Sequence, residues 1–371
     1  MLTFARKQQD KMRLFGTILS GIAFVSAAIS ITSCGDPAGP LPRTAPDAGF
    51  ASAFENYLAA IDSIGEDIHS IMVVRHGKVI AEKWLGENRA EQPHIMNSTS
   101  KSFTSMAAGL AIEDGLFALN DKVSDFFPDK MPDNPSENLL KMTVRDLLTM
   151  TCGHATDPTR KIRDDESTPP EDNDWIARFL AEEVVYEPGT HFCYNSMSTF
   201  MVSAIIQKCT GQKVVDYLGP RLFDPLGIAR PHWEENPAGI NCGGWGLYIK
   251  TEDMAKFGLL LLNGGKWHGK QILPQKWVEE ASSPLVESMP ANSTPESLMR
   301  KGLNKENSDW LQGYGYQLWR CRHNAFRADG AKGQYIIVIP EKDAVIAMTA
   351  HVRFGMQKEI DMVWKYLLPT L

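Results

Sequence analysis

The stretch HIMNSTSKSFTSMAAGLAIEDG, residues 94–115, decides how the rest of the chain is read. Small and apolar residues run through it at helical spacing, and Gly115 is a usual place for a helix to stop. Ser98 stands at the mouth of that helix and Lys101 follows one turn later. Two jobs fit the pair. In the first, Ser98 caps a solvated helix and Lys101 is a surface charge. In the second, Ser98 is a nucleophile and Lys101, on the same helix face, takes its proton. That role needs a lysine held partly neutral by burial or by nearby cations. The free N–H groups and positive dipole end of a helix N-terminus would also favour an oxyanion developing there.

Working outward, the segment 50–64 (FASAFENYLAAIDSI) has helical periodicity. SIMVVRHGKVIAEKWLG, residues 70–86, reads as a hairpin turning at His76-Gly77. TVRDLLTM (143–150) is a short amphipathic helix with Thr143 as its cap, and 157–174 reads as a polar surface loop. SMSTFMVSAIIQKC (196–209) and TEDMAKFGLLLLNGG (251–265) are further helix patterns that end at glycines. The C-terminal part returns to strands: YGYQLWRC (314–321), AFRAD (325–329), QYIIVI (334–339) and AVIAMTA (344–350). A last helix, 356–368, can cover one sheet face. Short strands joined by tight turns imply antiparallel pairing. The expected fold is therefore α+β: one antiparallel sheet built from N- and C-terminal segments, flanked by helices, with a mostly helical lobe inserted. The α/β lobe is expected over about 50–100 and 305–371, and the helical lobe over about 101–304.

The N-terminal segment reads as targeting. Lys7, Lys11 and Arg13 precede an uncharged apolar run, Leu14 to Ile31, and then ITSC ending at Cys34. This fits an export signal, and the segment from Met12 alone already makes one. Ile31-Thr32-Ser33-Cys34 resembles a lipobox, which makes Cys34 the expected lipidation site and residues 1–34 a lipoprotein-type signal. The Pro/Gly-rich 35–49 suits a flexible tether before a catalytic domain over 50–371. The expected location is outside the cytoplasm, anchored to a membrane through lipid.

The 371 residues are 43% hydrophobic and 22% charged, with a formal net charge of -7 and no basic cluster in the body, so a nucleic-acid partner is not expected. The cysteines after Cys34 form no C-x-x-C pair, and most read as buried thiols. H-E-x-x-H and G-x-S-x-G are both missing. No metal and no cofactor is expected.

Ser98-x-x-Lys101 is the one S-x-x-K in the chain, and alone it is a weak signal. It comes in an order of segments that is far more specific. NSTSKSFTSMAAGLAIEDGLFALNDKVSDFFP (97–128) is followed by MTVRDLLTMTCGH (142–154) and EPGTHFCYNSMSTFMVSAII (187–206), then by GGWGLYIKTEDMAKFG (243–258) and GQYIIVIPEKDAVIAMTA (333–350). In this order the chain resembles the serine β-lactamase-related family of penicillin-recognising hydrolases. It is nearest the branch with class C β-lactamases, D-aminopeptidases, esterases and nylon-oligomer hydrolases.

The resemblance implies that Ser98 is acylated, that Lys101 is its proton partner, and that Tyr194 shuttles the proton to the leaving group. Either Lys101 or Tyr194 can then be the base. Ser196 stands where many relatives have asparagine; it either bonds Lys101 or the substrate, or caps its helix. Ala328-Asp329-Gly330 stands where relatives carry Lys-Thr-Gly or His-x-Gly, so the usual cation for a substrate carboxylate is missing. Lys332 is the nearest replacement, and the amides of Ala331 and Ser98 are the implied oxyanion donors. Trp245 either lines the cleft or packs, and His154 reads as structural. The implied activity is hydrolysis of an ester or amide, peptide-like or otherwise, through an acyl-enzyme. The alternatives are a β-lactamase or cell-wall carboxypeptidase proper, and a sensing or binding protein without turnover.

Overall fold

Strands β1 (Ile68–Arg75) and β2 (Lys78–Trp84) pair antiparallel. The turn between them is His76-Gly77, with both residues at positive φ, the backbone that a two-residue hairpin requires. This is a computed structural model, and it describes residues 38–290, 293–352 and 355–371. The expected signal segment, Cys34 and the start of the tether lie outside the described residues.

The hairpin completes a sheet begun at the other end of the chain. β3 (Trp319–Arg320), β4 (Phe326–Gly330), β5 (Gln334–Ile339) and β6 (Ala344–Ala350) follow one another. β1 pairs antiparallel with β6, with Ile71 opposite Met348 and Val73 opposite Ile346. The strand order is β2-β1-β6-β5-β4-β3. Both termini therefore build one antiparallel sheet, as the sequence predicts.

Alternate strand residues feed two cores, because successive side chains point to opposite faces. Ile71, Val73, Ile337 and Ile346 pack against α1 (Ala48–Ser63) through Phe50 and Tyr57, and against the C-terminal helical segment through Trp364. Met72, Val74, Ile336 and Val345 face the other way, toward the helical part of the chain. There α2 (Ser100–Glu113) packs on α4 (Ser196–Thr210), and α5 (Thr251–Leu262) lies against the sheet. The Phe103 ring of α2 and the Phe257 ring of α5 stack with centroids 3.9 Å apart. The sheet is buried on both faces, and β4, held between β5 and the short edge strand β3, is a stable wall for a site. α3 (Val144–Leu148) starts as expected, with the Thr143 side chain and Asp146 forming a capping box.

Four local expectations change. YGYQLWRC is a strand only at β3, because Gln317 takes φ 62° and breaks the pleat. The 157–174 segment contains a short helix, Thr159–Arg163, anchored by buried Ile162. Part of the expected tether is docked on the domain: Leu41 is buried, and the Arg43 guanidinium pairs with Glu82 at 3.1 Å and Glu252 at 2.9 Å. The last helix, α6 (Met356–Met362), passes at Val363 into a wider π turn. Among the described residues the cysteines are free thiols: Cys152, Cys242 and Cys321 are buried, and Cys193 and Cys209 are half-buried.

Candidate active site

Three chain segments converge on Lys101. Ser98 sits in a single 3-10 turn, Asn97–Thr99, that leads into α2, so Lys101 falls in the first turn of the helix. Lys101 Nζ lies 2.9 Å from Ser98 Oγ, 3.0 Å from Ser196 Oγ and 2.8 Å from the Gly244 carbonyl oxygen. These partners suit both protonation states. An ammonium donates to all of them. A neutral amine donates to Ser196 and Gly244 and accepts the Ser98 hydroxyl proton on its lone pair. The surface-charge reading of Lys101 is excluded, since the side chain is 1% exposed. The cap reading of Ser98 finds no support either, because no side chain caps this helix start.

Burial pushes the Lys101 amine down to about 7, against the opposing pull of the Asp157 and Asp329 carboxylates. A large fraction is then unprotonated at neutral pH, the condition a general base needs. Tyr194 closes the other side. Its ring is half-buried and lies 4.9 Å from Lys101 Nζ, stacked on Trp319 at 5.5 Å. Burial pushes the Tyr194 phenol well above its ordinary value, although a hydrogen bond with Ser98 works against that shift. The phenol is therefore protonated at neutral pH.

Ser196 is not the cap of α4. Asn195 holds that position, its Oδ1 accepting from the amides of Met197 at 3.0 Å and Ser198 at 3.2 Å. This frees the Ser196 hydroxyl for Lys101. Asn195 is backed by His154, whose Nδ1 lies 3.3 Å from Asn195 Nδ2. Burial lowers His154 to about 4, so it is a neutral structural histidine.

The turn after β4 is held against the Ser98 turn. Asn97 Nδ2 donates to the Ala331 carbonyl at 2.8 Å, and Thr99 Oγ1 donates to the Gln334 carbonyl at 2.9 Å. Gly330 permits this approach: a Cβ there would stand 2.3 Å from the Met96 carbonyl oxygen and 2.9 Å from Thr99 Oγ1. Gly330 and Ala331 are thus beside Ser98. Lys332 is not brought in. It occupies the turn at φ 67° with an exposed side chain. Trp245 packs: it tilts against Trp175 at 5.8 Å and carries the Arg163 guanidinium over its ring at 5.6 Å.

Two features escape a reading of single motifs. Gly244 supplies the carbonyl that holds Lys101, and a Cβ there would lie 2.8 Å from the Ser196 carbonyl oxygen. The clustered glycines at 243–246 were the available signal. In place of the missing carboxylate-binding cation stands a buried pair, Arg327 Nε to Asp329 Oδ2 at 2.8 Å. The Arg327 guanidinium is caged under Trp310 at 4.5 Å and Trp319 at 5.6 Å and is 0% exposed, so it is closed to ligands.

The chain is 28% identical over 178 residues to the protein flp of Staphylococcus aureus, a match covering 45% of this chain and 35% of that protein. It therefore spans about a third of that relative's length. It is 23% identical over 294 residues to the 6-aminohexanoate-dimer hydrolase of Paenarthrobacter ureafaciens, covering 75% of this chain and 71% of that enzyme. The solved structure of EstCE1, described as a hydrolase with promiscuous acyltransferase activity, superposes with a TM-score of 0.67 at 17% identity over 86% of this chain and 98% of that one. The profile of the family described as Beta-lactamase matches residues 59–367, so the chain belongs to the β-lactamase family, within the serine β-lactamase-like superfamily.

Proposed function

We propose that the chain is an exported, lipid-anchored serine hydrolase that cleaves an ester or amide through an acyl-enzyme on Ser98. One observation carries the reading: a buried lysine with its pKa near 7 stands 2.9 Å from the Ser98 hydroxyl, with a protonated tyrosine beside them. Lys101 accepts the Ser98 proton as Oγ attacks the substrate carbonyl. The resulting oxyanion is held by the amides of Ser98 and Ala331. Tyr194 gives its proton to the departing oxygen or nitrogen as the bond to carbon breaks, and is reprotonated from Lys101. Water then adds to the acyl-enzyme and gives up a proton to the same pair. The carboxylic acid leaves and Ser98 is restored. The high phenol pKa favours Lys101 as the base and Tyr194 as the acid.

Export and anchoring rest on the basic, apolar and cysteine-terminated order of residues 7–34. Among the described residues no helix is long and apolar enough to cross a membrane. The test of the reaction is hydrolysis of a p-nitrophenyl ester by the soluble domain. The activity is expected to disappear in Ser98→Ala, and its survival in that variant would refute the assignment.

A further inference from the structure

Two cavities share a wall, and Tyr194 lines one of them. The inner one, about 440 Å³, has Tyr194 in its wall with Phe192, Trp310 and Trp319. The outer one, about 330 Å³, runs along the short helix Pro295–Arg300 past Met289 and Met299. Leu298, Leu303 and Leu311 line both, so the two form one largely apolar trough with Tyr194 in the wall of its inner part.

The trough offers little to an anionic ligand. Ser288 Oγ, on the inner wall, already donates to the Trp310 carbonyl at 2.8 Å, and Ser308 Oγ accepts from the Trp310 amide at 3.3 Å. Asp157 is the charged residue of the inner cavity. Glu287 and Lys305 of the outer one neutralise each other at 2.9 Å. Among the described residues no unpaired cation lines either cavity. A carboxylate placed there would lose its hydration without compensation, whereas an apolar chain gains from leaving water.

Which half of the substrate enters follows from Tyr194. Tyr194, assigned above to protonate the departing atom, is a wall residue of the inner cavity, which puts the trough on the side of the group attached to that atom. We propose that the trough selects an uncharged aliphatic leaving group, an alcohol or amine carrying an extended apolar chain, with Leu298, Leu303 and Leu311 reading its length. This rests on the acyl-enzyme reading of the site.

The test is a series of esters with one acyl group, butyrate, and methyl, propyl, butyl and hexyl alcohols. kcat/KM reports acylation and is expected to rise roughly three- to fourfold per methylene, the fold equivalent of burying one CH2 group. kcat is expected to converge along the series, because each ester yields the same butyryl-enzyme. In Leu303→Trp, which fills the shared wall, the methyl-to-hexyl slope is expected to flatten. That ratio is internal to one preparation. A flat alcohol series in the wild type, or a rise only when the acyl chain is lengthened, overturns the proposal. Binding of the same esters to Ser98→Ala, followed by tryptophan fluorescence, separates this inference from the catalytic one. Tighter binding of the hexyl than the methyl ester supports the trough even if no ester is turned over, and equal binding refutes it.

Discussion

The Gly244 carbonyl oxygen lies 2.8 Å from Lys101 Nζ, on a strictly backbone acceptor that fixes the amine from behind while Ser98 faces it. A buried amine so placed must titrate with consequences for both rate and stability. The rate kcat/KM is expected to rise with pH through about 7, as Lys101 loses its proton. Lys101→Arg is expected to be inactive across the range, since a guanidinium stays charged.

Stability carries the same signature. The folded pKa of Lys101 lies below its ordinary value of 10.5, so between about 7 and 10.5 the unfolded chain binds more protons than the folded one. This group therefore makes folding more favourable as pH rises through that window, by up to roughly 1.4 kcal/mol per pH unit. Lys101→Met removes the dependence. Its stability relative to wild type is expected to fall as pH rises from 7 to 10, measured by denaturant unfolding at several pH values. A difference that is flat with pH would contradict a neutral buried lysine.

Tyr194→Phe keeps the ring that stacks on Trp319 and loses only the hydroxyl. The expected loss is roughly 10²–10⁴-fold, the range for removing a positioned acid or base. It should be larger for an amide than for a p-nitrophenyl ester, because nitrophenolate departs without a proton. Parallel kinetics on an anilide and an ester of one acid check this; equal losses would mean that the hydroxyl does not protonate the leaving group, and no loss would place Tyr194 in a packing role.

Arg327 and Asp329 form a buried pair, and burial pushes the Asp329 carboxyl up against the opposing charge of Arg327. Arg327→Met strands that carboxyl and is expected to cost roughly 3–5 kcal/mol. Removing both partners in Arg327→Met/Asp329→Leu should recover much of the loss, read as the denaturation midpoint. Because this arginine is committed and Lys332 is exposed in its turn, turnover of a chromogenic cephalosporin is expected to be slow or absent.

Glu359 on α6 is fully buried, and among the described residues neither carboxyl oxygen has a hydrogen-bond partner. Burial, with the nearby Glu66 and Asp329 charges, pushes it up to about 9. The folded state then binds more protons than the unfolded one between about 4.5 and 9, so this group disfavours folding progressively as pH rises through that range. Glu359→Gln is expected to gain stability over wild type as pH rises from 5 to 9. A gain independent of pH would mean that the carboxyl ionises normally.

The sheet and the helix behind Ser98 are legible in the sequence because period-2 and helical patterns meet glycine stops there. The approach of Tyr194 to Ser98 is not visible in either local segment; the family resemblance supplied it. Ser196 was ambiguous from sequence, since serine and asparagine both cap helices and stand side by side at 195–196. Packing decides it: Asn195 turns inward to the amides and to His154, leaving the serine for Lys101. The Arg327–Asp329 pair was hidden for a different reason. Residues i and i+2 of a strand share a face, but whether two charges there meet solvent or each other depends on what covers them, here Trp310 and Trp319.

Activation of Ser98 as the single nucleophile is tested by reaction of the purified protein with a fluorophosphonate, followed by peptide mapping of the adduct. One adduct is expected, on Ser98, forming faster as pH rises through about 7 and lost in Lys101→Met. An adduct on another residue, or no adduct with folded wild-type protein, would contradict it.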